Sequence, residues 1–284
     1  MFPSRPEVIV IGRDDGFLQV LSKSRAFRPD LLVDLHGSLR SRMLSAALAV
    51  RTVRVQKRTP REMLTAILSV KRYRMSGWIV ERAVRTVERA TRREAERDRP
   101  ILRPPETARD WARDFLSPFE RRRIAAVAPG SRWFTKRWHV DNYAEVACEL
   151  ASRGYGVVAI GGDGDKRWCD AVAKKADGIS AAGIAGLTES AALIERCAVL
   201  VGNDSLSAHL AVGVGVPTVT VFGSTIPEFG FAPHWERDAV IETGPLYCRP
   251  CALHGRHGCP EGHLRCLREV TVEKVVSAVE RVVG

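Results

Sequence analysis

Ser131 and Lys136 lie in PGSRWFTKRW, which begins at Pro129, and Asp204, Ser205 and His209 lie in VGNDSLSAHLAVGVGVP, which begins at Val201. A serine directly after Pro-Gly offers a hydroxyl and a backbone N–H to a phosphate oxygen. A lysine nearby supplies a point charge suited to a diphosphate whose charge rises as it leaves. Asn203, Asp204 and Ser205 are residue types that cap helices, and the free N–H groups beyond such caps can bind an anion. His209 falls one turn after Ser205 on the same helical face. There it is either a satisfied structural group or a contact to a phosphate or sugar hydroxyl. Together the two loops suggest a diphosphate site and a nucleotide-linked substrate.

Each loop follows a β-branched apolar run (IAAVA from Ile124, AVLV from Ala198) and precedes helical periodicity. From Ile124 the pattern alternates: strand, helix (DNYAEVACELASRG), strand (GVVAIGGDGD), helix, strand (AVLVGND), helix, strand (TVTVFGS). Asp141 is the expected N-cap of the first helix and Gly154 its C-terminal stop. Such alternation predicts a doubly wound parallel sheet with its ligand beyond the strands' carboxyl ends, where GGDGD from Gly161 and FGST from Phe222 also fall. Trp133 and Trp138 read as packing residues.

Upstream, EVIVIG, FLQVLSKSRAF, LLVDLHG and SRMLSAALAV read as strand, helix, strand and helix, with a further strand at TVRVQ from Thr52. From Pro60 to Pro105 the chain is basic and helical, and Val80, Ala83, Val84, Val87 and Ala90 form one buried stripe. RPILRPPET breaks the pattern as a linker.

The 284 residues carry a formal charge of +11, and residues 51–123 account for all of it, with 21 Lys/Arg against 10 Asp/Glu. Such a field favours a polyanion such as nucleic acid, anionic headgroups or a phosphorylated glycan; the alternative is a solvated Arg-rich face. No aromatics are interleaved as a base-stacking surface requires, which argues against nucleic acid. No apolar run approaches the roughly 18 residues of a membrane span, and no signal layout opens the chain, so a cytoplasmic protein is expected.

PGSRWFTKRWHVDNYAEVA, GGDGD, GLTESAALIERCAVLVGNDSLSAHLAVGVGVPTVTVFGST and the later CRPC…CPEGHLRC together resemble glycosyltransferase family 9, the ADP-heptose:lipopolysaccharide heptosyltransferases. DLLVDLHGSLRSRMLSAAL from Asp30 is similar to the corresponding N-domain strand and helix, less diagnostically. The resemblance implies an α/β, GT-B architecture of two Rossmann-like domains with the active site in the cleft between them. Residues 1–110 would be the acceptor-side domain with its basic helical segment, and residues 111–284 the nucleotide-sugar domain. It implies direct, inverting, metal-independent transfer of heptose from ADP-heptose to an anionic lipopolysaccharide-core acceptor at the inner membrane surface.

Carried over by motif position, Ser131 and Lys136 would hold the diphosphate and offset charge on departing ADP. Asp204, Ser205 and His209 would lie at the heptose-diphosphate end, with Lys136 and Asp204 each in a catalytic role. Gly186, Leu187 and Thr188 fall at the adenosine-side loop, and Arg40 and Arg42 would face the acceptor. Leu206 departs from the family's usual small residue. The family's opening strand and aspartate-bearing loop have no counterpart, so an incomplete acceptor domain lacking its base is expected. Neither Asp34 nor His36 is assigned that role. The alternative is a truncated or catalytically silent nucleotide-sugar binder.

Cys148, Cys169 and Cys197 read as buried apolar fillers. Cys248, Cys251, Cys259 and Cys266 cluster, with His254, His257 and His263 as substitute ligands. This is either a structural zinc site or a compact thiol-containing loop.

Overall fold

The computed structural model describes residues 8, 10–12, 14–56, 78–95 and 99–284. The described residues divide into two compact units, one within 1–60 and 79–97 and the other comprising Trp78 and the residues from 99 onward. Helix Glu106–Phe115, which straddles the expected boundary at 110/111, belongs with the second unit.

The first unit holds α1 (Phe17–Ala26), β1 (Leu31–Asp34), α2 (Leu39–Leu48), β2 (Arg51–Arg54) and α3 (Ile79–Thr91). β1 and β2 pair in parallel, with Leu31 opposite Arg51 and Asp34 opposite Arg54. Ser38 caps α2 by accepting from Ser41 N. The expected EVIVIG strand lies partly outside the described residues; Val8, Val10 and Ile11 are exposed and outside any strand. Of the expected stripe on α3, Ala90 is buried and Val80, Ala83 and Val84 are half-buried, while Val87 is exposed and Thr86 joins the buried face. Thr86 can enter because its hydroxyl donates to Arg82 O at 2.6 Å, which satisfies its polar group within the helix. Residues 57–77 of the basic segment lie outside the described residues.

The second unit holds α4 (Glu106–Phe115), β3 (Ile124–Ala128), α5 (Val140–Ser152), β4 (Gly156–Ala159), α6 (Lys166–Lys175), β5 (Ile179–Ser180), α7 (Leu187–Glu195), β6 (Val199–Asn203), α8 (Leu206–Val214), β7 (Thr218–Phe222), β8 (Ala239–Glu242), α9 (Arg265–Arg268) and α10 (Val272–Val283). Its six strands are all parallel in the order β5-β4-β3-β6-β7-β8. β5, β8 and α10 extend the pattern read from sequence.

Strand residues alternate between two cores, as a sheet covered on both faces requires. Ala125, Val127, Val157, Val199, Val201, Val219 and Val221 pack with α5, α6 and α10. Ile124, Ala126, Val158 and Leu200 pack with α4, α7 and α8. The strand order reverses between β3 and β6, so the loops after these two strands emerge side by side.

The start of α5 differs from expectation. His139 is its N-cap, accepting from Asp141 N, and Asp141 lies in the first turn. The end holds: Gly154 has φ +86°, its N–H donates to Ala151 O, and Tyr155 N donates to Leu150 O. That is a Schellman closure, which glycine makes without strain.

Candidate functional site

A pocket of about 810 Å³ opens at the carboxyl ends of β3, β4 and β6. Ser131, Lys136, Gly186, Leu187, Asp204 and Ser205 all line it, so six of the sequence-derived site residues converge on one cavity. Thr188 and His209 are not in its wall. Thr188 donates to Glu189 Oε2 at 3.0 Å. His209 is exposed, and desolvation around its imidazole holds its pKa below the ordinary value, opposed by the Asp204 carboxylate and reinforced by Lys136. Arg40 and Arg42 belong to the first unit, both exposed in the opening turns of α2; an Arg40 guanidinium nitrogen donates to Asp15 O at 2.7 Å.

Lys136 ends a single 3₁₀ turn, Phe134–Lys136, and its Nζ lies 2.6 Å from Asp204 Oδ2. The two side chains keep only 13% and 7% of their surface, so the pair is largely shielded from water. Thr225, buried in the loop after β7, donates its hydroxyl to the same carboxylate oxygen at 2.8 Å. Asp204 therefore does not cap α8. Neither α8, preceded by Ser205, nor α7, preceded by Gly186, has a side-chain cap. Both helices open onto the pocket with uncommitted N–H groups and the positive ends of their dipoles.

Asn203 does not cap α8 either. Its amide donates to Pro129 O at 2.9 Å and Gly130 O at 3.2 Å, and accepts from Trp138 N at 2.9 Å. Arg137 braces the same loop, donating from Nε to Ser131 O at 2.8 Å while its guanidinium stacks over Trp168.

Trp138 is the packing residue its sequence context suggests, fully buried with Nε1 donating to Val270 O. Trp133, expected to pack as well, instead lines the pocket, with Arg132 over its ring and His257 against its edge. Asp165, Ser190, Ser207 and His254 also line the pocket; none was expected there, and His254 was read from sequence only as a substitute metal ligand. Of these, Asp165 had a signal in the acidic GGDGD turn. His254 had none beyond its place among the cysteines.

The cysteine-bearing segment forms another wall of this site. Thr135 N donates to Arg256 O at 3.2 Å and Arg256 N donates to Thr135 Oγ1 at 2.8 Å. Gly255 has φ +99°, and a Cβ there would lie 2.7 Å from Trp133 Cβ and 3.0 Å from Lys136 Cδ. Cys248, Cys251, Cys259 and Cys266 line a second cavity of about 360 Å³.

Among the described residues no three His, Cys, Asp or Glu side chains are grouped closely enough to hold a metal, and Cys248 Sγ stands 3.8 Å from His263 Nε2. Burial raises the thiol pKa of Cys248 and Cys251 and pushes Cys266 up to about 11. Cys169 and Cys197 are buried fillers as expected, each pushed up to about 12 by burial, whereas Cys148 is half-buried.

In the first unit Asp34 is committed elsewhere. Burial opposes its ionisation, but hydrogen bonds from Gly37 N, Arg54, Ser41 and His36 N outweigh that and hold its carboxyl at about 2.

The family model for glycosyltransferase family 9 (heptosyltransferase) matches residues 21–260. Lipopolysaccharide heptosyltransferase 3 of Escherichia coli is 29% identical over 160 residues, covering 55% of this chain and 45% of that protein. Lipopolysaccharide heptosyltransferase 1 of Pseudomonas aeruginosa is 27% identical over 239 residues, covering 78% and 61%. In these two matches the aligned stretch spans under two thirds of the relative's own length. Among solved structures, a family 9 glycosyltransferase from Veillonella parvula superposes with a TM-score of 0.75 at 21% identity, over 94% of this chain and 78% of that one. ADP-heptose lipopolysaccharide heptosyltransferase II of Escherichia coli superposes with a TM-score of 0.70 at 20% identity, over 94% and 80%. These likenesses show the GT-B α/β fold, and the extent of the family match shows that the chain belongs to glycosyltransferase family 9.

Proposed function

We propose that the chain binds ADP-heptose in the pocket beside Lys136 and transfers the heptose to an anionic lipopolysaccharide-core acceptor by inverting displacement. The observation that carries this reading is the shielded ammonium of Lys136 in a pocket that two uncapped helix N-termini also enter. A volume of about 810 Å³ is within the range of small-ligand sites. The acceptor hydroxyl attacks the anomeric carbon as the bond to the diphosphate oxygen breaks. The electron pair leaves with ADP, where Lys136 and the helix dipoles stabilise it. These charges do the work a divalent cation performs in other phosphate chemistry, so the reading requires no metal.

The hydroxyl's proton needs a base. Asp34, with its carboxyl held at about 2, is too weak a base for that role. The second reading is that the chain binds the nucleotide sugar without transferring it. The exposed basic surface of Arg85 and Arg89 on α3 and of Arg92 just beyond it supports peripheral attachment to the anionic inner membrane surface from the cytoplasm. Among the described residues no helix is long and apolar enough to cross a membrane.

The test is to mix the chain with ADP-heptose and a heptose-deficient core acceptor and follow the acceptor's mass and ADP release. Acceptor-dependent release supports transfer, and binding without release supports the second reading. Failure to bind either ADP or ADP-heptose contradicts both.

A further inference from the structure

We infer that Asn203 is a positioning residue, a staple that closes the 129–138 loop at both ends and sets Ser131 and Lys136 at the spacing a diphosphate needs. The inference rests on the proposed donor site. Asn203 is the last residue of β6 and is fully buried. Its type and place before a helix predict a cap, yet each hydrogen bond described for its side chain goes to the backbone of the neighbouring loop. Nδ2 holds Pro129 O and Gly130 O where the chain leaves β3, and Oδ1 holds Trp138 N where the chain turns toward α5. Ser131 and Lys136 lie between these two anchor points.

The next residue, Asp204, is Lys136's partner, and its own N–H is fixed to Val221 O at 3.2 Å. One side chain thus ties the loop bearing the cation to the end of the strand that the carboxylate follows. A satisfied core amide would stabilise the fold in general. This one is placed to control one half of the pocket, because Ala185, Leu187 and Leu210 reach the cavity from other elements. The diphosphate end should depend on Asn203 far more than the nucleoside end.

Asn203→Asp is the informative change, since it keeps the shape and the Oδ1 acceptor but turns the donor toward two carbonyls into another acceptor. Repulsion and burial raise that carboxyl's pKa, and its protonated form regains a donor. Three measurements on wild type and variant decide the matter: calorimetric affinity for ADP, affinity for adenosine, and amide exchange of the 129–138 loop without ligand, with β4 as the internal reference.

The expected result is an ADP affinity lower by about tenfold, as for one or two lost hydrogen bonds, with adenosine little changed. Loop exchange should be faster, β4 exchange unchanged, and ADP affinity should recover relative to wild type as the pH falls. An unchanged loop, unchanged ADP affinity, or equal losses for ADP and adenosine would overturn the inference. Wild type failing to bind ADP would defeat the proposed function instead, and the exchange measurement would still decide whether the staple exists. If N203D does not fold, N203S, whose hydroxyl is too short to reach both carbonyls, is held to the same affinity and exchange outcomes, without the pH recovery that only a carboxyl can give.

Discussion

Lys136 Nζ lies 2.6 Å from Asp204 Oδ2, and the two residues come from loops after different strands of one sheet. The pairing follows from β3 and β6 being neighbours at the point where the strand order reverses. The lysine's charge is matched by the carboxylate, so in the proposed reading a diphosphate would compete with Asp204 for the same ammonium.

Removing the carboxylate leaves a shielded ammonium without its counter-ion. Asp204→Ala should destabilise the second unit by about 3 kcal/mol, measured as the shift in urea midpoint. An unchanged midpoint would mean that the pair is as weak as an exposed one.

Thr225 donates to the oxygen that Lys136 contacts. T225V, nearly isosteric, should lose about 1 kcal/mol of stability, and T225S should retain it. A loss in T225S with none in T225V would assign the effect to packing of the methyl group.

Asp34 makes the first unit acid-sensitive. Its folded pKa of about 2 lies below the ordinary carboxylate value. Its stabilisation is therefore complete above about pH 4 and is lost as the pH falls through about 2. Asp34→Asn should remove roughly 2 kcal/mol at neutral pH and flatten the acid limb of the stability profile. An acid limb of unchanged slope would show that other carboxylates control it.

Gly255→Ala puts a methyl group against Trp133 and Lys136 on a backbone with φ +99°. It should lower stability by about 1–3 kcal/mol, shift tryptophan emission, and weaken ADP binding. Normal binding would separate the cysteine-bearing segment from the donor site.

Chelation tests the metal-independent chemistry. In the proposed reading EDTA leaves transfer unchanged, because Lys136 and the helix termini provide the positive charge. Loss of transfer, restored by a divalent ion, would contradict that.

The strands that position the site were legible because IAAVA, AVLV and TVTV are short apolar runs ending in small residues, which is what buried parallel strands look like. β5 was missed because Ile179–Ser180 is only two residues long. The convergence of Ser131, Lys136, Asp204 and Ser205 was readable from motifs, but the partners were not. Asn203 and Asp204 are cap-forming types immediately before a helix, and nothing local shows that one staples a loop 65 residues away and the other pairs with a lysine. Trp133 and His254 reach the pocket because the cysteine-bearing segment folds back onto Thr135, a tertiary contact without local periodicity.

The most direct test of the donor site is calorimetric titration of wild type and Lys136→Met with ADP and with adenosine. Wild type should bind ADP, and the variant should bind it more weakly by about 1.5–3 kcal/mol, roughly tenfold to a hundredfold in Kd. Adenosine affinity should be equal in both. Equal ADP affinity in the two proteins, or no ADP binding by wild type, would contradict the assignment.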